Sequence, residues 1–321
     1  MNRLHGLDGL RGVAALMVFA HHLRGFGLPM PITTFYLGVD IFFALSGFVM
    51  ARTYEDRLRS GIGTARFTIM RYRRLWLPAT IGSAIGFAIC VWKFGLSAEL
   101  VAALAAILLF LPAPWLSRGA YAINIPIWTL FIELFCNVVH AAILARASTR
   151  TLLALLGLCG VGFAMLVLCH LDMLKGITAT STLLAIPRGL ASYLIGILIF
   201  RIWREAPLGR TPMMAIFGFP AIIAGLGVLP QAVAMLLAVF VVSPLILRAS
   251  LGLGEVRWLS WLGTYSFPLY AVHMPILSLA AVPGVPVAGA VMLSLGTALL
   301  VTVLIGNDRF ARPQRRVPAP A

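Results

Sequence analysis

The chain is 321 residues long, 61% hydrophobic and 11% charged, with a mean hydropathy of +0.98. Soluble domains run near about 45–50% apolar and about 25% charged, so this composition excludes an ordinary water-soluble globule and a disordered chain alike and points to folding in lipid. The 25 Lys+Arg against 10 Asp+Glu give a net charge of +15; in a soluble protein that excess would suggest nucleic acid, in a membrane protein it gathers in cytoplasmic loops, and its position decides between the two.

A spanning helix needs about 20 mostly apolar residues. The first such run, 10–27, contains Arg11, His21, His22 and Arg24 and is followed by no small-residue cleavage site, so it reads as a retained membrane segment rather than a signal peptide. Further runs follow at 34–51, 75–95, 127–145, 151–169, 183–200, 213–228, 231–247, 264–281 and 287–305, which makes ten. An eleventh, 99–111, has 13 residues and ends at Pro112 and Pro114. The longest polar stretch is 52–74, and neither a soluble domain nor an internal repeat is visible. The four cysteines, Cys90, Cys136, Cys159 and Cys169, lie in apolar runs without metal-ligand spacing and read as buried small hydrophobes. The expected fold is an all-α membrane protein, one bundle over 1–308 followed by a basic cytoplasmic tail over 309–321.

The charges orient this bundle. The stretch 52–74 has seven arginines, Arg52, Arg57, Arg59, Arg66, Arg71, Arg73 and Arg74, against Glu55 and Asp56, which places it in the cytoplasm. Arg3 places the N-terminus there as well, and so do Arg146 and Arg150, Arg201, Arg204 and Arg210, Arg248 and Arg257, and the arginines of the tail for their own segments. An even number of crossings must then separate residues 74 and 146, so one of the three runs between them does not span. The short 99–111 run is that segment, re-entrant or interfacial. Ten crossings with both termini inside result, and the positive charge needs no nucleic acid to explain it.

Charged residues at membrane depth are costly and usually mark a site or a buried pair. Arg11, His22, Asp40, Glu133, Arg188 and His273 all fall within or at the edge of spans. Each alone reads as a structural pair or a hydrogen-bonded core residue; six in one small bundle point to a polar functional cavity. On a continuous helix Arg11 and His22 share a face about 16 Å apart. An imidazole is the usual general base for a hydroxyl. Arg71 and Arg74 stand one helical turn apart, a spacing that suits a phosphate and equally suits a topogenic basic cluster.

In chain order these residues resemble the acyltransferase-3 family of integral-membrane O-acyltransferases. Arg11 and His22 are similar to its Arg-x10-His pattern, and Gly38 to Phe48 (GVDIFFALSGF) to its Gly-Val-Asp block. Arg71 and Arg74 followed by Pro78 resemble its Arg-x-x-Arg pair, and Trp128-Thr129-Leu130 with Glu133 its Trp-Ser-Leu-x-x-Glu block. Arg188 to Tyr193 with Gly196, and Tyr265-Ser266 with Leu269, Tyr270 and His273, resemble its two late blocks. The likeness runs over nearly the whole chain. Thr129 replaces a common Ser, a single Glu stands where many members have two, and Pro268 interrupts the last block. The extracytoplasmic esterase-like domain of some members is not expected here.

The resemblance implies transfer of an acyl group, usually acetyl, from acyl-CoA to a hydroxyl of a carbohydrate or glycolipid, in a multi-pass protein of a cell membrane such as the bacterial cytoplasmic membrane. Acyl-CoA is then a substrate, with no permanently bound cofactor and no metal. In this scheme Arg71 and Arg74 clamp the phosphates of coenzyme A. His22 is the general base or transient acyl carrier, and Arg11 binds donor charge or polarises the thioester. Asp40 or Glu133 orients His22, and Glu133 is also the expected counter-charge of Arg188. Arg188, Tyr270 and His273 line the acceptor side, with a structural role as the alternative for the last two. The rival class is a transporter or flippase for a small acid or lipid-linked sugar, which also uses intramembrane charges.

Overall fold

A computed structural model describes residues 3–28, 30–169, 178–204, 213–254 and 256–310, without the side chains of 214, 215 and 306–310. Among the described residues the regular secondary structure is all helical. In chain order the α-helices are α1 (His5–Leu23), α2 (Gly38–Arg59), α3 (Thr64–Phe94), α4 (Ala98–Leu108), α5 (Ile127–Ala142), α6 (Thr149–Leu168) and α7 (Ala179–Leu184). They continue as α8 (Ile186–Trp203), α9 (Met214–Gly225), α10 (Gln231–Leu237), α11 (Ser243–Leu251), α12 (Arg257–Leu277) and α13 (Val287–Phe310). A π-helical turn, Ala238–Val242, joins α10 to α11.

Each apolar run read from the sequence falls on helix. Among the described residues, six helical stretches are long and apolar enough to cross a membrane: Thr34–Arg59, Thr64–Phe94, Thr149–Leu168, Ala179–Trp203, Gln231–Leu251 and Val287–Ile305. The others are shorter, as in Ile127–Ala142 and Ile216–Val228, or diluted by polar and aromatic residues, as in α1 and α12. The chain is therefore a polytopic membrane protein. α4 has 11 residues, a rise of about 16 Å against a hydrocarbon core of about 30 Å, so it is too short to span upright.

Two expectations change. The polar stretch 52–74 is not a loop: α2 continues to Arg59 and α3 begins at Thr64, joined by a tight turn at Gly61 (φ 117°). The 31 residues of α3 rise about 46 Å, so its arginine-rich first turns project beyond the hydrocarbon. Only Cys136 is buried among the cysteines; Cys90 and Cys159 are half-buried and Cys169 is exposed. α12 runs through both Pro268 and Pro275. Proline lacks the N–H that would bond four residues back, and the Ala271 carbonyl freed by Pro275 accepts instead from Asn124 Nδ2 at 3.0 Å. Of the basic tail, residues 311–321 lie outside the described residues.

Two helix pairs organise the centre. α2 packs on α8, and α1 on α12. In the first, Gly47 lies against the Tyr193 backbone and Gly196 against the Ala44 carbonyl, so a Cβ at either would overlap main chain. In the second, Gly263 lies against Asp8 in the same way. Small residues let helix axes approach closely in lipid, where no hydrophobic force drives them together. Each close pair brings two ionisable residues face to face.

Candidate active site

A cavity of about 200 Å³ opens between α1, α2, α3, α5, α12 and α13. Its polar wall is built from the start of α1 (Arg3 just before it, then Asp8 and Arg11), the first turns of α3 (Arg71, Arg74), Ser46 of α2, and Thr129 and Glu133 of α5. Its apolar wall includes Phe42, Phe43, Met50, Leu75, Phe267 and Tyr270. It thus lies toward the end of the bundle that carries the N-terminus and the arginine-rich first turns of α3.

Glu133 is the hub. Its Oε1 accepts from Ser46 Oγ at 3.0 Å and from Arg71 Nη2 at 3.4 Å. Arg71 is 4% exposed, and among the described residues its Nε and Nη1 have no hydrogen-bond partner. A buried guanidinium with one long contact is an unfinished arrangement, because unpaired buried donors cost free energy. Arg11 lies within electrostatic reach of Asp8, Glu133 and Arg71. At the mouth, Arg3 donates to Asp8 Oδ2 at 2.7 Å and to the Ser260 carbonyl at 3.1 Å, tying the start of α1 to α12.

At its inner end the cavity meets Tyr270. Thr129 spends its hydroxyl hydrogen on the Pro126 carbonyl (2.8 Å), so the Tyr270 hydroxyl donates to Thr129 Oγ1 at 2.9 Å. The Tyr270 ring packs edge-on against Phe42, with centroids 5.4 Å apart, and lies 5.9 Å from the His273 ring. Neither His22 nor His273 lines the cavity. They meet each other beyond Tyr270, in the last turn of α1 and the last third of α12, with His22 Nδ1 and His273 Nε2 3.0 Å apart. His22 is partly exposed and His273 buried.

The structure re-pairs several residues that the sequence singled out. Neither Asp40 nor Glu133 orients His22, whose ring partner is His273. Arg188 pairs with Asp40, not with Glu133: its Nε and Nη2 donate to the two carboxylate oxygens at 2.8 and 2.7 Å. Arg188 and Asp40 are 2% and 0% exposed and line no part of the cavity, so they brace α8 against α2. Arg11 stands three helical turns from His22 and lines the cavity with Arg71 and Arg74. His273 and Tyr270 do face the histidine end. Sequence reasoning passed over Ser46, although it lies inside the quoted GVDIFFALSGF block, and over Arg3 and Asp8, whose signal was their place just before and in the first turn of the helix that carries Arg11 and His22.

A second polar cluster lies away from the cavity. The Tyr193 hydroxyl donates to Asn137 Oδ1 at 3.1 Å and lies 3.1 Å from His140 Nδ1, all three fully buried. At the arginine-rich end, Arg201 binds Glu55 at 2.6 Å and the carbonyls of Leu144 and Ala147, while Arg59 reaches the Ala145 carbonyl. These arginines thus cap the short 3-10 turn after α5.

Residues 4–306 match the family model described as acyltransferase domain, and the chain belongs to the acyltransferase-3 family. It is 38% identical over 172 residues to protein 2 of the picA locus of Rhizobium radiobacter, a match covering 48% of this chain and 90% of that protein. Over 86 residues it is also 38% identical to a Staphylococcus aureus (strain COL) protein named provisionally as an O-acetyltransferase, covering 25% of this chain but 13% of that much longer protein. A protein of strain MSSA476 with the same provisional naming matches to the same extent. No solved structure matches significantly. The chain is thus a multi-pass membrane protein of an acyltransferase family.

Proposed function

We propose that the protein moves an acyl group, acetyl being the expected one, from acyl-CoA to a hydroxyl of a carbohydrate or glycolipid. The single observation that carries this reading is the cavity whose mouth gathers Arg3, Arg11, Arg71 and Arg74 and whose inner end is Tyr270, against the histidine pair. Coenzyme A has the matching shape: a phosphate-rich head and a long thin arm ending in the thioester. Arg71 and Arg74, with Arg11, take the phosphates, and the unfilled Nε and Nη1 of Arg71 are donors that such an anion would satisfy. Glu133, itself bonded by the Ser46 hydroxyl, holds the Arg71 side chain in place. The pantetheine arm runs past Phe42, Thr129 and Tyr270 toward His22.

There His22 takes the proton of the acceptor hydroxyl as its oxygen attacks the thioester carbonyl. The C–O bond forms, the C–S bond breaks, and the imidazolium returns the proton to the departing thiolate. Charge on the donor side and a base on the other suit a reaction whose donor and acceptor arrive from opposite ends of the bundle.

His22→Ala is expected to abolish acyl transfer by the purified protein while insertion and accumulation stay normal. The checks are thiol release from acetyl-CoA in the presence of extracted surface glycans or glycolipids, and the acetyl mass gained by the acceptor. Wild-type turnover in the variant would remove His22 from the mechanism, and substrate uptake without thioester cleavage would favour a transporter.

A further inference from the structure

The hydrogen bonds around His273 fix more than its own position. Its Nδ1 lies 3.0 Å from the Leu269 carbonyl and 2.9 Å from the Tyr270 carbonyl, the residues four and three back in α12. A carbonyl oxygen can only accept, so the hydrogen is on Nδ1. A neutral imidazole has one N–H, which leaves Nε2 of His273 a bare acceptor. The atom facing that acceptor at 3.0 Å is His22 Nδ1, which must then carry a hydrogen itself. The remaining nitrogen of His22, Nε2, therefore holds the lone pair.

We infer that His273 is a positioning residue that holds His22 in its Nδ1–H tautomer, with Nε2 as the basic nitrogen. It occupies the place a carboxylate takes behind the histidine of a Ser-His-Asp triad, where loss of the orienting partner leaves the wrong tautomer. The backbone does the carboxylate's work here through a relay: two α12 carbonyls fix His273, and His273 fixes His22. Isolated neutral histidine favours the opposite tautomer, with the hydrogen on Nε2, so the arrangement has to be imposed.

The surroundings keep the relay aligned. Phe19, three residues before His22 on α1, packs its ring edge-on against His273 at 5.8 Å. The Tyr270 ring covers His273 from its own helix, and the contact of Gly263 with Asp8 sets the register of α1 on α12. The assignment also explains a buried histidine that lines no cavity. When Nε2 of His22 takes the proton of an acceptor hydroxyl, Nδ1–H keeps its bond to His273 and the ring does not turn. The catalytic meaning of the relay rests on His22 being the base; the tautomer does not.

The experiment is 15N NMR of the full chain, purified in detergent with 15N-labelled histidine, with the His22 signals identified by their loss in His22→Gln. The expected wild-type pattern at neutral ring charge is a protonated Nδ1 and an unprotonated Nε2 for His22. In His273→Leu the hydrogen shifts to Nε2, and kcat falls about a thousandfold with the donor KM unchanged. In His273→Gln, whose amide oxygen can accept from Nδ1–H, both the tautomer and most of the turnover return. A wild-type His22 protonated on Nε2 overturns the inference, and so does a His273→Leu variant with unchanged tautomer and kcat. If His273→Leu fails to accumulate, the wild-type spectrum and His273→Gln decide. A His22→Ala enzyme that still transfers acyl groups, beside the expected spectrum, would instead overturn His22 as base and leave the relay standing.

Discussion

Among the arginine–carboxylate pairs of this bundle, Arg188 with Asp40 and Arg71 with Glu133 differ most in geometry. Arg188 and Asp40 meet through two parallel bonds of 2.8 and 2.7 Å, with exposures of 2% and 0%. Arg71 and Glu133 meet through one contact of 3.4 Å, at the edge of a cavity, and two guanidinium nitrogens are left over. The bidentate pair needs nothing more and holds two helices together. The open pair is under-satisfied in a place that a ligand can reach. Both arginines resembled family blocks in the sequence; what separates them is how completely each is satisfied, and that only the fold reveals.

The largest effect should come from breaking the closed pair. Arg188→Met leaves Asp40 as an uncompensated buried charge and is expected to destabilise the protein by about 3–5 kcal/mol. Adding Asp40→Leu removes both charges and should recover most of that loss, since apolar replacements of a buried pair are often neutral or better. Thermal unfolding in detergent checks both. The double variant should also keep the donor KM. If its instability is the sum of two single losses, or if KM rises with stability restored, Arg188 belongs to the site and the comparison fails.

Next in size is the open pair, where stability and function should separate. Arg71→Met removes a cation that was already short of partners, so unfolding should change by less than about 1 kcal/mol. Transfer should fall about a hundredfold, about 2.7 kcal/mol at the transition state, chiefly through the donor KM. A strongly destabilised variant with an unchanged donor KM would make Arg71 a second brace like Arg188.

The contrast also marks what the sequence could carry. Hydrophobic runs located the helices, because a run of about 20 apolar residues has few other uses. The shortness of 99–111 was equally visible and reappears as α4. The polar stretch 52–74 misled because polarity was taken for a loop, when helices can extend past the bilayer with charged turns. Pairing misled more. Asp40 lies 148 residues from Arg188, and His22 lies 251 residues from His273; spacing along a chain says nothing about which of several carboxylates meets which arginine. Gly47, Gly196 and Gly263 set which backbones approach, and only the fold shows their partners.

The smallest expected effect tests the boundary between the cavity and the histidines. Tyr270 contributes a ring and a hydroxyl there, and the two can be separated. Tyr270→Phe keeps the ring against Phe42 and His273 but deletes the hydrogen bond to Thr129. Thr129 still donates to the Pro126 carbonyl, so it loses an incoming donor rather than becoming an unsatisfied one. The cost should be about 1 kcal/mol or less in stability, with transfer lowered no more than about tenfold. Such a result would define Tyr270 as an aromatic wall that shapes the path from the arginines to His22. A loss as deep as that of His22→Ala, without a matching loss of stability, would mean that the hydroxyl itself touches the reacting group. The open character of the cavity would then extend to the histidines, and the boundary now placed at Tyr270 would move past it.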